Sequence, residues 1–268
     1  MIGKINVIQQ GESGLHGIAI HPDYPTQPYI YLYYTYSAGS NNSLHRVSRF
    51  TFNGELIKDE QIIIDNIPGA IFHDGGRIKF GPDGFLYITT GDALNPSLAQ
   101  DKNSLAGKIL RVKDDMVEVY SYGHRNPQGI TWDNTGKMWE TEHGNNAIDE
   151  VNLIEVGKNY GWPDIRGDQT SEGMISPKLH SGSDTWAPAG LAFFDGSLYF
   201  GGLRGQALFE YNIESGQLIE HFKGKLGRIR EVVMGPDNML YITTSNRDGR
   251  GNPQGDDDKI IKISEASL

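Results

Sequence analysis

One frame recurs along this chain: an apolar strand, a Gly/Asp turn, an apolar-aromatic strand and a polar exit. Four copies are clear, RIKFGPDGFLYITTGD from Arg77, GITWDNTGKMWETEHG from Gly129, GLAFFDGSLYFGGLRG from Gly190 and EVVMGPDNMLYITTSN from Glu231. A looser fifth, GIAIHPDYPTQPYIYLYYT, starts at Gly17. The copies start roughly 40 to 60 residues apart, the length of a four-stranded propeller blade. A single sheet of that kind cannot bury both faces. Stacking blades radially covers them and leaves a central funnel lined by blade-edge loops. A β-sandwich would show turns every ~8–12 residues without the longer period.

Local signals agree with this reading. The chain carries 34 glycines, 13 tyrosines and 10 phenylalanines, a bias toward strands and tight turns. Strands are predicted at Tyr29–Tyr36, Val47–Phe52, Gln61–Ile64, Phe85–Thr90, Lys108–Val112, Ser197–Gly201 and Asn238–Thr244. The single helix candidate is Ser97–Ala106. The fold class expected is therefore all-β, a six-bladed β-propeller forming one domain over 1–268, with about five blades recognisable. The chain opens on GKINVI, which reads as the tail of a blade already begun, so a preceding segment of about one blade is expected to be missing.

Charge and composition narrow the function. Lys and Arg total 24 against 34 Asp and Glu, a formal net charge of −10, which disfavours nucleic acid and anionic membranes as partners. No apolar run approaches the ~20 residues of a membrane helix, and the N-terminus lacks the pattern of a signal peptide. With no cysteine, thiol catalysis, Cys-ligated zinc and iron–sulfur clusters are excluded. There is no GxSxG elbow, P-loop or dinucleotide fingerprint.

Four loops hold most of the strongly interacting side chains. In the run from His73 to Arg77, an imidazole beside two glycines at a strand entrance projects freely and suits a general base; it also reads as a turn histidine bonded to backbone. In the run from Tyr122 to Gly129, Arg125 and Asn126 suit a planar, carboxylate-bearing ligand, or equally a guanidinium satisfying loop carbonyls. Thr141 to Asn146, with Asp149, Glu150 and the following Lys158 to Pro163, offers carboxylates, amides and glycine-exposed carbonyls for a hard cation such as Ca²⁺, or forms a hydrated acidic loop. Glu142 and His143 lack the spacing of a transition-metal motif. Arg228 and Arg230, two apart in a strand-like segment, share a face. With Arg125 and Arg204 they make a cationic pocket, or else pair with the abundant acids. The GPDG at Gly81 and GPDN at Gly235 read as turn chemistry, and Asp256 to Asp258 as a solvated acidic run.

Taken together, GESGLHGIAIHPD (Gly11–Asp23), FHDGGRIKFGPDGFLYITTGD (Phe72–Asp92), NSLAGKILRV (Asn103–Val112), YGHRNPQGITW (Tyr122–Trp132), DEVNLIEVGKNYGWP (Asp149–Pro163), TWAPAGLAFF (Thr185–Phe194) and GRIREVVMGPDNMLYITT (Gly227–Thr244) resemble the glucose/sorbosone dehydrogenase family of pyrroloquinoline quinone (PQQ) enzymes. The segments keep the family's order over nearly the whole chain. The resemblance implies a six-bladed propeller holding PQQ over a Ca²⁺, and hydride transfer from sugar C1 to the quinone C5. It implies His73 as general base, and Glu12, Arg125, Asn126, His143, Arg204, Arg228 and Arg230 around the cofactor and substrate. Gly144 and Asn145 would give carbonyl oxygens to the Ca²⁺ under the quinone; Glu150 and the Tyr160 carbonyl match a second, structural Ca²⁺ site.

There are departures. Glu12 stands where the family's usual residue is Gln, and a carboxylate there would repel an anionic cofactor unless protonated or Ca²⁺-linked. Asn145 stands in place of the common Pro, and a Lys that some members place near the quinone falls at Leu203, with Arg204 adjacent.

The activity implied is oxidation of the aldose C1 hydroxyl to a lactone, with an external electron acceptor, in a monomer or homodimer, in the periplasm or outside the cell. Two other functions compete. A catalytically inactive propeller that only binds a ligand or partner would be favoured by Glu12. A Ca²⁺-dependent lactonase would need several side-chain ligands converging on one metal.

Overall fold

The computed structural model describes residues 1–39, 43–113, 116–264 and 268. The chain divides into two compact units, Met1–Pro127 with Glu155–Ile165 and Thr170–Ile175, and Gln128–Ile154 with Arg166–Gln169 and Ser176–Leu268.

The first unit contains two four-stranded sheets in meander order. One is β1 (Leu15–Ile20), β2 (Tyr29–Ser37), β3 (Ser43–Phe52) and β4 (Ile57–Pro68). The other is β5 (Ile78–Phe80), β6 (Leu86–Thr90), β7 (Lys108–Lys113) and β8 (Met116–Tyr122), with the short helix α1 (Ser97–Gln100) between β6 and β7. Tyr31, Tyr33, Val47, Ile64 and Ile67 from the first sheet meet Ile78, Leu86, Ile88 and Leu110 from the second in one core.

The second unit continues the pattern. Its sheets are β9 (Pro127–Trp132), β10 (Met138–Glu142), β11 (Glu150–Ile154) and β12 (Leu179–His180), then β13 (Pro188–Phe194), β14 (Ser197–Gly202), β15 (Leu208–Asn212) and β16 (Leu218–His221). A three-stranded sheet follows, β17 (Ile229–Met234), β18 (Leu240–Thr244) and β19 (Ile260–Ile263). The middle sheet shows why this sequence makes blades. Leu198 and Phe200 of β14 with Phe209 and Tyr211 of β15 pack one way, against Trp139, Val151 and Trp186. Tyr199 and Leu208 pack the other way, against Ile229, Val232, Leu240 and Ile242. The period of two thus buries both faces, and each large apolar side chain so buried contributes ~1.5–3 kcal/mol.

The repeated motif has a local cause as well. Asp83 accepts the Phe85 N–H at 3.2 Å and the Tyr87 hydroxyl at 2.8 Å, closing the β5–β6 turn. Asp237 does the same with Met239 and Tyr241, at 3.3 and 2.9 Å. Asp133 accepts the Lys137 N–H at 3.1 Å and the Trp139 indole N–H at 2.9 Å. Glycine at the head of the copies lets neighbouring sheets close up. A Cβ on Gly190 would stand 2.6 Å from the Val232 nitrogen, and one on Gly129 2.7 Å from the Leu191 side chain. Among the described residues these five sheets are blades with almost no helix, and the fold class is an all-β propeller.

Two sequence expectations need correction. The helix stops at Gln100 rather than Ala106, because Asp101 turns extended at ψ 109°. The fully buried Lys108 then draws in the carbonyls of Leu98, Ala99 and Ala106 at 2.8, 3.0 and 2.6 Å. Burial pushes its ammonium down to about 8. The acidic run near the C-terminus is only partly solvated: Asp258 accepts the Asn246 N–H at 2.6 Å and Asp257 accepts its side-chain amide at 3.1 Å.

Candidate active site

In the first unit, His73 sits in the loop entering β5 with a positive φ of 63°, a backbone conformation uncommon outside glycine. Its Nδ1 lies 2.8 Å from Asp92 Oδ1, and Nε2 lies 2.9 Å from Arg125 Nη2. A guanidinium can only donate, so Nε2 carries the lone pair and Nδ1–H points at Asp92. That is the tautomer a general base at Nε2 requires. Asp92 is wholly buried and locked in turn: Oδ2 accepts the Trp162 indole N–H at 2.8 Å and Oδ1 the Leu94 N–H at 2.9 Å. Arg125 lies 5.3 Å from the Trp162 ring centre. Glu12 accepts the His73 N–H at 3.2 Å, and the buried Asn126 accepts the Gly75 N–H at 3.0 Å. The structure thus brings His73, Glu12, Arg125 and Asn126 together. Tyr160 is buried in the same unit, its ring stacked 4.9 Å from that of His124.

In the second unit, Arg228 is almost fully buried; it pairs with Asp248 at 2.8 Å and donates to the Leu203 carbonyl at 3.0 Å. Arg230, 42% exposed at its side chain, reaches the same Asp248 oxygen at 3.4 Å. Burial pushes the Asp248 carboxyl up, but the Arg250 N–H and the two arginines outweigh it and hold the group below the usual carboxylate range. Arg204 is exposed and lines a surface cavity of about 380 Å³ with Trp186, Gln206, Glu220 and Lys223. His143 Nε2 lies 2.8 Å from the Pro188 carbonyl.

The loop bearing Gly144 and Asn145 is clamped by Asp149, which is 1% exposed. One oxygen accepts the Gly144 N–H at 2.9 Å; the other accepts the N–H groups of Trp186 and Ala187 at 2.6 and 2.8 Å. The carbonyls of Ala147 and Ile148 press on Gly144 so closely that any Cβ there would overlap them. A backbone held this way is rigid and oxygen-rich, which fits a hard cation.

Beside it, Glu142 pairs across from Glu150, and Glu140 from Asn152, on β10 and β11. All four are buried. The Asn152 amide donates to Glu140 at 3.1 Å and to Glu142 and Glu150 at 3.5 Å, and the Gly167 N–H reaches Glu150 at 2.8 Å. Glu140 Oε1 and Asn152 Oδ1 are buried without a hydrogen-bond partner. Burial, then the neighbouring Glu142, pushes Glu140 well above its ordinary value and Glu150 up to about 8. Orphaned oxygens among crowded carboxyls fit Ca²⁺ at Glu150. In the first unit, Arg125 and Asn126 offer the donors that an anionic, planar group such as PQQ needs.

Sequence reasoning missed Asp92, Asp248 and the pair Glu140 and Asn152. Asp92 closes the polar exit of the first repeat, and Glu140 and Asn152 stand two residues from Glu142 and Glu150 on their strands, hence on the same faces. Those were the available signals.

The sequence matches the family described as Glucose / Sorbosone dehydrogenase over residues 2–253. An uncharacterized protein of Synechocystis is 34% identical, over 90% of this chain and 70% of that protein. Quinoprotein glucose dehydrogenase B of Acinetobacter calcoaceticus is 30% identical over 61% of this chain and 42% of its own length. The structure is similar to the PQQ-bound form of aldose sugar dehydrogenase from Streptomyces coelicolor, with a TM-score of 0.88 and 37% identity, covering 96% of this chain and 81% of that one. The chain belongs to the glucose/sorbosone dehydrogenase family.

Proposed function

We propose that the protein is a quinoprotein sugar dehydrogenase that oxidises the C1 hydroxyl of aldoses to the lactone. The observation that carries this reading is the His73–Asp92 pair, whose tautomer leaves a lone pair at His73 Nε2. PQQ, when bound, supplies an acceptor for the C1 hydride. Arg125 and the buried Asn126, beside His73 and Glu12, would hold it. The Gly144 and Asn145 carbonyls would hold one Ca²⁺, and Glu150 a structural one.

The chain's own part in the reaction is proton removal. The sugar hydroxyl donates to His73 Nε2, displacing the Arg125 N–H that occupies it. As the C1–H bond breaks with its electron pair, the hydroxyl proton moves to Nε2. Asp92 stabilises the resulting imidazolium, and its bonds to Trp162 and the Leu94 N–H keep it from turning away. A positioned base of this kind contributes ~10²–10⁴-fold.

Purified protein reconstituted with PQQ and Ca²⁺ should reduce an artificial dye with one or more of a panel of aldoses, and lose that activity on chelation. Tight PQQ binding with no dye reduction by any aldose would overturn the enzymatic reading in favour of a binding module.

A further inference from the structure

Away from the residues used above, one cluster in the first unit has the donor chemistry of a transition-metal site. We propose that His16 on β1, His45 on β3 and Asp74, next to His73, bind a borderline divalent metal, zinc foremost, which clips two strands to the loop carrying the candidate base. One ligand atom from each residue lies within 4.8 Å of the other two. His45 Nε2 is 2.9 Å from Asp74 Oδ1, and both side chains are buried. Despite that approach, Nε2 makes no hydrogen bond of acceptable geometry. Adjacent ligands on bonds of ~2.0–2.1 Å stand about 2.9–3.4 Å apart, so the separation suits two donors facing one ion.

The surroundings pack closely on the rings and fix them. A Cβ on Gly69 would stand 2.7 Å from His45 Nε2, and one on Gly76 2.9 Å from His16 Nδ1, so glycines face both nitrogens. The other nitrogens, His45 Nδ1 and His16 Nε2, each lie 3.0 Å from the buried Thr35 hydroxyl. Thr35 Oγ1 also accepts the Gly14 N–H at 3.1 Å, so it can accept from one imidazole only; it orients both rings and fixes the tautomer of one. Asp74 is held likewise, its carboxyl accepting the Ala70 N–H at 3.0 Å and the Ser13 hydroxyl at 3.2 Å. Two imidazoles and one carboxylate select zinc, cobalt or nickel over the Ca²⁺ expected at all-oxygen sites.

The test needs no enzymatic activity. Tag-free, chelator-treated full-length protein in excess Ca²⁺ is titrated with Zn²⁺ by calorimetry and with Co²⁺ by visible absorption. One equivalent should bind, with the ligand-field bands of a low-coordinate nitrogen/oxygen site. His16→Gln changes a half-buried residue and should weaken binding by at least ~10–100-fold, whereas His21→Gln, outside the cluster, should not. Should His45→Gln fail to fold, the His16 variant still decides. Absence of stoichiometric binding in the wild type, or equal affinities in wild type and His16→Gln, would overturn the proposal.

Discussion

In calcium-free protein, raising the pH from about 5 to about 8 should reduce folding stability, with Glu150 responsible for a large part of the loss. Burial, then Glu142, pushes its carboxyl from an ordinary 4.5 up to about 8. The folded state therefore holds a proton that the unfolded chain has already released. Stability from this source is complete below about 4.5 and drains away as the pH rises toward 8. At 1.36 kcal/mol per pH unit the ceiling is about 5 kcal/mol, and relaxation of the site brings the expectation to roughly 2–5 kcal/mol. For a chain of this size, that lowers the melting temperature by roughly 5 °C or more. The assay is thermal or urea unfolding in chelator at a series of pH values, for wild type and Glu150→Gln. The amide variant should show a markedly shallower slope, and Ca²⁺ should flatten the wild-type slope by replacing the proton. Parallel slopes for the two proteins in chelator would refute the reasoning.

Other predictions follow from single contacts. Asp92→Asn, which keeps shape but disturbs the His73 tautomer, should lower turnover by ~10²–10⁴-fold with PQQ affinity nearly unchanged, as measured by steady-state kinetics and cofactor titration. Asp149→Ala releases three backbone N–H groups and should weaken Ca²⁺ retention by at least ~10-fold in a direct Ca²⁺ titration. Lys108→Met leaves three buried carbonyls without their donor and should destabilise by roughly 2–4 kcal/mol in urea unfolding, without changing the substrate profile.

The blades were legible because one local device repeats. A turn aspartate that accepts from a tyrosine or tryptophan a few residues on marks three of the hairpins, and apolar alternation fixes which faces are buried. Strand ends in the open meander were read within a few residues. The helix beyond Gln100 was misread because Lys108, a few residues further on, gathers three carbonyls and overrides the helical pattern. The candidate base and its arginine were visible as motifs. Their orienting partners were not, since Asp92 and Trp162 meet across 70 residues of sequence. Asp149 was legible as a carboxylate of the cation-binding run, but its clamp on three backbone N–H groups was not. The His16, His45 and Asp74 cluster was invisible for the same reason: no spacing in the chain announces it.

Single-turnover reduction of bound PQQ by an aldose, followed in stopped flow for wild type and His73→Ala, tests the central proposal most directly. Wild type should reduce the cofactor in one fast phase, and His73→Ala should retain PQQ but react ~10²–10⁴-fold more slowly. Equal rates would remove His73 as the base, and no reduction in the wild type would contradict the dehydrogenase reading altogether.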